Sequence, residues 1–350
     1  MKELKIKSFY GYYSSGADFL SKEKNFFSKK NMQILDKEIL NNCKRLGLNH
    51  VKLFNKKIMN VGSGREALGF VQFNPKKIYH YDISRKNILN FKKIIKFNKL
   101  SNKIISNQLD LSKDTLPKNK FDLVYLHGVI QHVDHIGKAM KNISNSLKKN
   151  GILWFYFYRP GSLNIFLGSV QKFLLKKTNV NYFFKKLNKQ KYNFKFKDGI
   201  MDDCFVPNRQ LFYPKDYMKH LKKLNFINFG NSLLINTNQK YNFYKFHSSV
   251  ILFLKKVSNK KILTNFKNFL KPSDNIDVLD YKIYKKNEQI KEIIKILYQN
   301  KFNVFEDIFK KVVMIEKLKN NITKTYFEKK ILNKTYVTTI LDRLKKILKK

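Results

Sequence analysis

Met59-Asn60-Val61-Gly62-Ser63-Gly64-Arg65-Glu66-Ala67 is the stretch whose reading decides the fold. The apolar run Ile58–Val61 predicts a short strand, and the residues after Gly64 predict a helix start. Glycine at 62 and 64 lets the chain turn sharply and lets a ligand approach the backbone. The helix N-terminus adds free N–H donors. Gly62, Gly64 and Ala67 also satisfy the dinucleotide pattern GxGxxG/A, so the loop alone leaves its ligand open. Twenty residues beyond Gly62, Asp82 ends the next apolar run. A carboxylate there either accepts hydrogen bonds from ribose hydroxyls or caps the following helix.

Outward from this loop, short apolar runs alternate with amphipathic helices over residues 56–158, the pattern of a parallel sheet covered on both faces. Strands are predicted at Ile58–Val61, Ile78–Tyr81, Ile104–Asn107, Phe121–Leu126 and Ile152–Tyr158. Ser84 caps a predicted helix carrying Ile88, Phe91 and Ile95. A second helix carries Ile136, Met140, Ile143 and Leu147 and is expected to stop at Gly151. After an interruption at 160–213, a helix near Lys215–Leu224 and strands near Phe226–Asn236 and Ser248–Leu254 bring the sheet to seven. The expected domain, an α/β unit, therefore runs over 56–257.

The flanks read differently. Residues 1–55 form a helical cap with apolar positions Ile34, Leu40, Leu46 and Leu48, behind the aromatic segment Phe9-Tyr10-Gly11-Tyr12-Tyr13. From 258 to 350 the periodicity is purely helical, with Phe305, Ile308, Phe309, Val312 and Val313 on one stripe and Val337, Ile340, Leu341, Leu344 and Leu348 on another. This α-helical C-terminal extension is a candidate surface for homo-oligomer formation.

The chain has 350 residues and a formal charge of +47, yet only six of its 72 basic residues are arginine. Proteins that grip phosphate lean on arginine, whose planar fork binds bidentately, and cluster it on one face. Here the lysines are spread along the chain beside abundant Asn, Ile, Phe and Tyr, as an A/T-rich coding bias produces. The charge attracts anions without specifying one, so no specific nucleic acid is expected. No stretch reaches the roughly 20 apolar residues of a transmembrane segment, and no signal peptide is read at the N-terminus. Cys43 and Cys204 lack metal-type spacing, which argues against a disulfide framework or a metal site and for a reducing, cytoplasmic setting.

Further motifs separate the two readings of the loop. Asp110 follows the third strand in Gln108-Leu109-Asp110-Leu111. Phe121-Asp122-Leu123-Val124-Tyr125-Leu126-His127-Gly128-Val129-Ile130-Gln131-His132-Val133 spans the fourth strand and its exit. Leu147-Lys148-Lys149-Asn150-Gly151 precedes the fifth. As a linked set these resemble the class I S-adenosylmethionine-dependent methyltransferases of the bacterial small-molecule type, over about residues 55–255. The resemblance implies a Rossmann-like sheet and S-adenosylmethionine as cofactor. It places the methionine part of that molecule at Asn60, Gly62, Ser63 and Gly64, the ribose at Asp82 with Ile83, the adenine edge at Asp110 with Leu111, and the methionyl end beside His127. The chain departs from the family pattern at Asn60, often acidic there, at Glu66 in place of a third glycine, and at Lys149-Asn150-Gly151, which lacks a Pro-Gly pair.

Histidines 127, 132 and 135 crowd the exit of the fourth strand. Each reads either as a neutral, hydrogen-bonded histidine or as chemistry, and His132 is the candidate general base because an unperturbed pKa of about 6.5 suits proton removal. His127-Gly128-Val129 stands where enzymes acting on the exocyclic amines of bases carry an Asn- or Asp-Pro-Pro-aromatic motif. Transfer to an O, N or C atom of a small-molecule acceptor is the simpler expectation. The insertion at 160–213, with Leu163-Asn164-Ile165-Phe166-Leu167 and Phe173-Leu174-Leu175, has the character of a substrate lid. Arg209 either meets an anionic substrate group or pairs with Asp202 or Asp203. An NAD-dependent oxidoreductase on the same loop and a basic nucleic-acid-modifying protein are the competing readings.

Overall fold

A computed structural model of the chain describes residues 29–45, 48, 50–158, 168, 171–172, 175, 179–191, 194–206, 209–212, 214–228 and 249–258. The chain divides into two compact units. Met1–Tyr158, Gln210–Thr237 and Ser249–Lys271 make the first; Arg159–Arg209, Asn238–Ser248 and Pro272–Lys350 make the second.

The first unit starts with α1 (Lys29–Arg45) and the single turn α2 (His50–Leu53). Then follow β1 (Lys57–Val61), α3 (Arg65–Gly69), β2 (Lys77–Asp82), α4 (Arg85–Phe97), β3 (Ile104–Gln108), β4 (Phe121–His127), α5 (Ile136–Ser146) and β5 (Leu147–Tyr158). The second unit contains α6 (Val180–Lys189) and α7 (Phe194–Phe205), and the chain returns to the first through α8 (Pro214–Lys223), β6 (Phe226–Asn228) and β7 (Ser249–Lys256). The seven strands form one sheet in the order β3-β2-β1-β4-β5-β7-β6. The first five run parallel, and β7 pairs antiparallel with both β5 and β6. This is the parallel α/β sheet expected from the alternation of apolar runs, in the Rossmann-like form that the resemblance implies.

Side-chain alternation gives the central strands β1 and β4 two buried faces. Met59, Val61, Tyr81, Val124 and Leu126 pack with Ile136, Met140 and Ile143 of α5 and with Tyr217 and Leu221 of α8. Ile58, Ile78, Leu123, Tyr125 and Trp154 face the other way, onto Leu35 and Ile39 of α1, Ala67 and Leu68 of α3, and Phe91 and Ile95 of α4. The strand order reverses between β1 and β4. In sheets of this kind the ligand crevice opens at that point, beyond the carboxyl ends of the strands.

Three sequence expectations need correction or placing. α5 stops at Ser146, well before Gly151: Leu147 is already extended (φ −77°, ψ 140°) and pairs with Phe121 at the foot of β4. The left-handed turn residue is Asn150 (φ 67°), while Gly151 is required by proximity. A Cβ on it would meet the Lys148 carbonyl at 2.9 Å and the Phe121 carbonyl at 3.1 Å. On α1 the buried stripe is Leu35, Ile39 and Cys43, with Leu40 at its margin. The aromatic segment at 9–13 and the helical stripes beyond 258 lie outside the described residues.

Candidate active site

The candidate site is built from the exits of β1, β2 and β4. Gly62 (φ +119°) and Gly64 (φ +87°) adopt conformations that side chains rarely tolerate, and Gly64 has no room for one. Its Cβ would lie 2.9 Å from the Phe91 ring. The Gly62 N–H donates to the Tyr81 carbonyl at 2.9 Å. Its carbonyl is held from below by His80, whose Nε2 lies 2.7 Å away and whose Nδ1 lies 2.8 Å from Ser106 Oγ. A carbonyl only accepts, so Nε2 carries the proton and the Ser106 hydroxyl donates to Nδ1. Burial lowers the His80 pKa to about 4, so the ring is neutral at physiological pH.

Ser63 sits within the loop, and its Oγ accepts from the Arg65 N–H at 3.4 Å. Glu66 bonds to the Ser63 side chain, and burial raises its pKa although Arg65 and those hydrogen bonds oppose the rise. Arg65 pairs with Glu38 of α1. Asn60 is wholly buried, and neither its amide nitrogen nor its amide oxygen has a partner among the described residues. It lies in register between His80 and Tyr125, on the face covered by α3.

At the end of β2, Asp82 Oδ1 accepts from the Ser84 N–H at 2.7 Å and Oδ2 from Asn87 Nδ2 at 2.6 Å. Ser84 itself caps α4 through the Asn87 N–H. Burial lifts the Asp82 pKa to about 7 despite those two bonds. The carboxylate therefore organises the start of α4, and each oxygen keeps a second lone pair for a ligand. The Ile83 carbonyl accepts from Gln108. Asp110 Oδ1 closes a turn by accepting from the N–H and hydroxyl of Ser112, while Leu111 is buried in the core.

At the end of β4 the His127 ring stacks on Tyr156, with centroids 4.1 Å apart and planes 7° from parallel. Its Nδ1 lies 3.3 Å from the Tyr125 hydroxyl, which accepts from Asn42 Nδ2 of α1 at 3.1 Å. Burial lowers the His127 pKa to about 4; Glu38 opposes and Arg65 assists. His132 stands apart on the short 3-10 turn Ile130–His132, its Nε2 3.2 Å from Gln131 Nε2. His135 caps α5 without a side-chain bond.

The geometry thus brings the Gly62–Gly64 loop, Asp82 and His127 to one edge of the sheet. His80, Asn87, Tyr125, Asn42 and Glu38, none of them singled out from the sequence, support that edge. A sign was present for His80: it shares the inward face of its strand with Ile78, where an apolar residue is the rule. Elsewhere, in the second unit, Arg209 donates to Asp203 Oδ1 at 2.8 Å beside Gly168, which is the structural pair. Cys43 and Cys204 are buried and form no disulfide, and burial pushes the Cys43 thiol up to about 12. Among the described residues no cluster of His, Cys, Asp and Glu is suited to a metal ion, and no helix is long and apolar enough to cross a membrane.

Residues 59–155 match a family model described as a methyltransferase domain. This supports an enzyme of the S-adenosylmethionine-dependent methyltransferase type, with S-adenosylmethionine as its cofactor. No curated protein sequence matches the chain. Among solved structures, the [4+2]-cyclase SpnF is 17% identical with a TM-score of 0.36, over 43% of this chain and 58% of its own. A S-adenosylmethionine-dependent methyltransferase from Mesorhizobium loti is 18% identical with a TM-score of 0.31, over 38% and 57%. A SAM-dependent methyltransferase from Aquifex aeolicus is 10% identical with a TM-score of 0.39, over 69% and 98%. The chain thus spans less than two thirds of the length of the first two.

Proposed function

We propose that the protein transfers the methyl group of S-adenosylmethionine to an O, N or C atom of a small-molecule acceptor, as enzymes of the bacterial small-molecule type do, in a cytoplasmic setting. One observation carries this reading: the glycine loop, the Asp82 carboxyl and His127 share the carboxyl edge of the sheet at its switch point. The donor and acceptor types fit the cofactor. The turn Gly62-Ser63-Gly64 borders its amino-acid part, with Asn60 beneath it. Asp82, beside Ile83, accepts from the ribose hydroxyls. Asp110 and Leu111 border the adenine. The cofactor supplies a methyl already activated on a sulfonium, so the protein has chiefly to orient the acceptor and keep water away.

His132 is the candidate base for an acceptor that must lose a proton. His127 is poorly suited to that task, because its pKa of about 4 leaves it a weak base. The oxidoreductase alternative gives no role to the motifs at 121–133 and 147–153. The nucleic-acid alternative rests on charge alone. Mass spectrometry of small molecules that co-purify with the full chain tests the proposal. S-adenosylmethionine or S-adenosylhomocysteine is expected, and a co-purifying nicotinamide dinucleotide would refute it.

A further inference from the structure

The proton of His127, like that of His80, can be placed from its surroundings. The Tyr125 hydroxyl has two hydrogen-bond neighbours, Asn42 Nδ2 at 3.1 Å and His127 Nδ1 at 3.3 Å. An amide NH2 only donates, so the hydroxyl oxygen accepts from Asn42 and its own proton has one acceptor in reach, His127 Nδ1. With Nδ1 accepting and the ring neutral, the imidazole proton sits on Nε2. Nε2 has no partner among the described residues, although Nδ1, Tyr125 and Tyr156 fix the ring on its other sides. Tyr125 is itself immobilised against Trp154, stacked at 5.0 Å, and against Phe70, edge-on at 5.2 Å. The result is a fixed N–H on a half-buried ring at the end of β4, next to the loop at the end of β1 and in the field of both Glu38 and Arg65.

We propose that Asn42 and Tyr125 are positioning residues that lock His127 in its Nε2–H form, so that His127 donates a hydrogen bond to the carboxylate of the cofactor's amino-acid end. A helix N-terminal to the sheet thereby sets the polarity of a ligand contact at the fourth strand. The inference rests on the cofactor reading above.

Asn42→Asp tests it without changing side-chain shape. A carboxylate accepts where the amide donated, so the Tyr125 proton turns to the new carboxylate. His127 Nδ1 must then donate to the Tyr125 oxygen, and Nε2 becomes an acceptor facing the ligand carboxylate. Nitrogen-15-correlated proton spectra of the histidine rings in the full chain report the tautomer directly. Calorimetry with S-adenosylhomocysteine and with 5′-methylthioadenosine, which has the nucleoside but no amino-acid end, reports the contact.

The expected result is Nε2–H in the unsubstituted protein and Nδ1–H in Asn42→Asp. S-adenosylhomocysteine affinity should fall about tenfold, the range of one hydrogen bond to a charged group, with 5′-methylthioadenosine affinity unchanged. Tyr125→Phe, which keeps the ring stacks, should release the tautomer and give a smaller loss confined to S-adenosylhomocysteine should Asn42→Asp not fold. An unmoved tautomer, or equal losses for both probes, would overturn the relay while leaving the cofactor reading standing. If neither probe binds the unsubstituted chain, the cofactor reading and the relay fall together.

Discussion

Asp82 carries two duties on one carboxyl, and its titration separates them. Its folded-state pKa, about 7, lies above the ordinary 3.8 because burial disfavours the charge. The stability contributed by its neutral form is complete below about 3.8 and is lost as pH rises through about 7. The ligand-free protein should therefore lose part of its thermal stability between those values, and Asp82→Asn should flatten that part of the Tm-against-pH curve. Ribose hydroxyls donate to the ionised form, so S-adenosylhomocysteine should bind more tightly at pH 8 than at pH 6. Asp82→Ala should weaken it ten- to a hundredfold, from the about 1.5–3 kcal/mol of a hydrogen bond to a charged group. An unchanged calorimetric affinity would leave Asp82 only its role at the start of α4.

The supporting elements hold the loop through contacts that their spacing alone does not announce. Gly64→Ala forces a Cβ into the Phe91 ring at a left-handed backbone and should cost about 1–3 kcal/mol in denaturant unfolding. On the far side of the sheet, Lys256 of β7 is almost fully buried and donates to the Ser144 and Leu147 carbonyls, at 2.7 and 2.9 Å, closing the end of α5. Lys256→Met keeps the length but strands those carbonyls, for a loss of about 1–3 kcal/mol by the same measurement.

The glycine loop, the five parallel strands and the Ser84 cap were legible because each rests on local pattern. The end of α5 was not. Leu147 continues a helical stripe in sequence, yet it leaves the helix to pair with Phe121, a tertiary contact. His80, Asn42 and Lys256 were hidden for the same reason: their partners lie 18, 83 and at least 109 residues away.

At the scale of the whole molecule, the formal charge of +47 should produce retention on RNA or a polyanion that falls steeply with salt and is blind to sequence. A sequence preference surviving at high salt would revive the nucleic-acid reading. We propose the boundaries read from the sequence: a cap at 1–55, the α/β domain at 56–257 with its lid at 160–213, and a helical extension at 258–350 that offers a second subunit an apolar surface. A chain ending near Lys260 should keep cofactor binding, since the crevice residues lie between 60 and 132, even if it aggregates more readily. A shortened chain that stays folded and monomeric but no longer binds would place the extension within the site.

The central claim is that the edge formed by Gly62, Gly64, Asp82 and His127 receives S-adenosylmethionine. Isothermal titration of the full chain with S-adenosylhomocysteine and, separately, with NAD measures it most directly. Saturable one-to-one heat with S-adenosylhomocysteine and none with NAD is the result predicted here; tight NAD binding with no response to S-adenosylhomocysteine would contradict it.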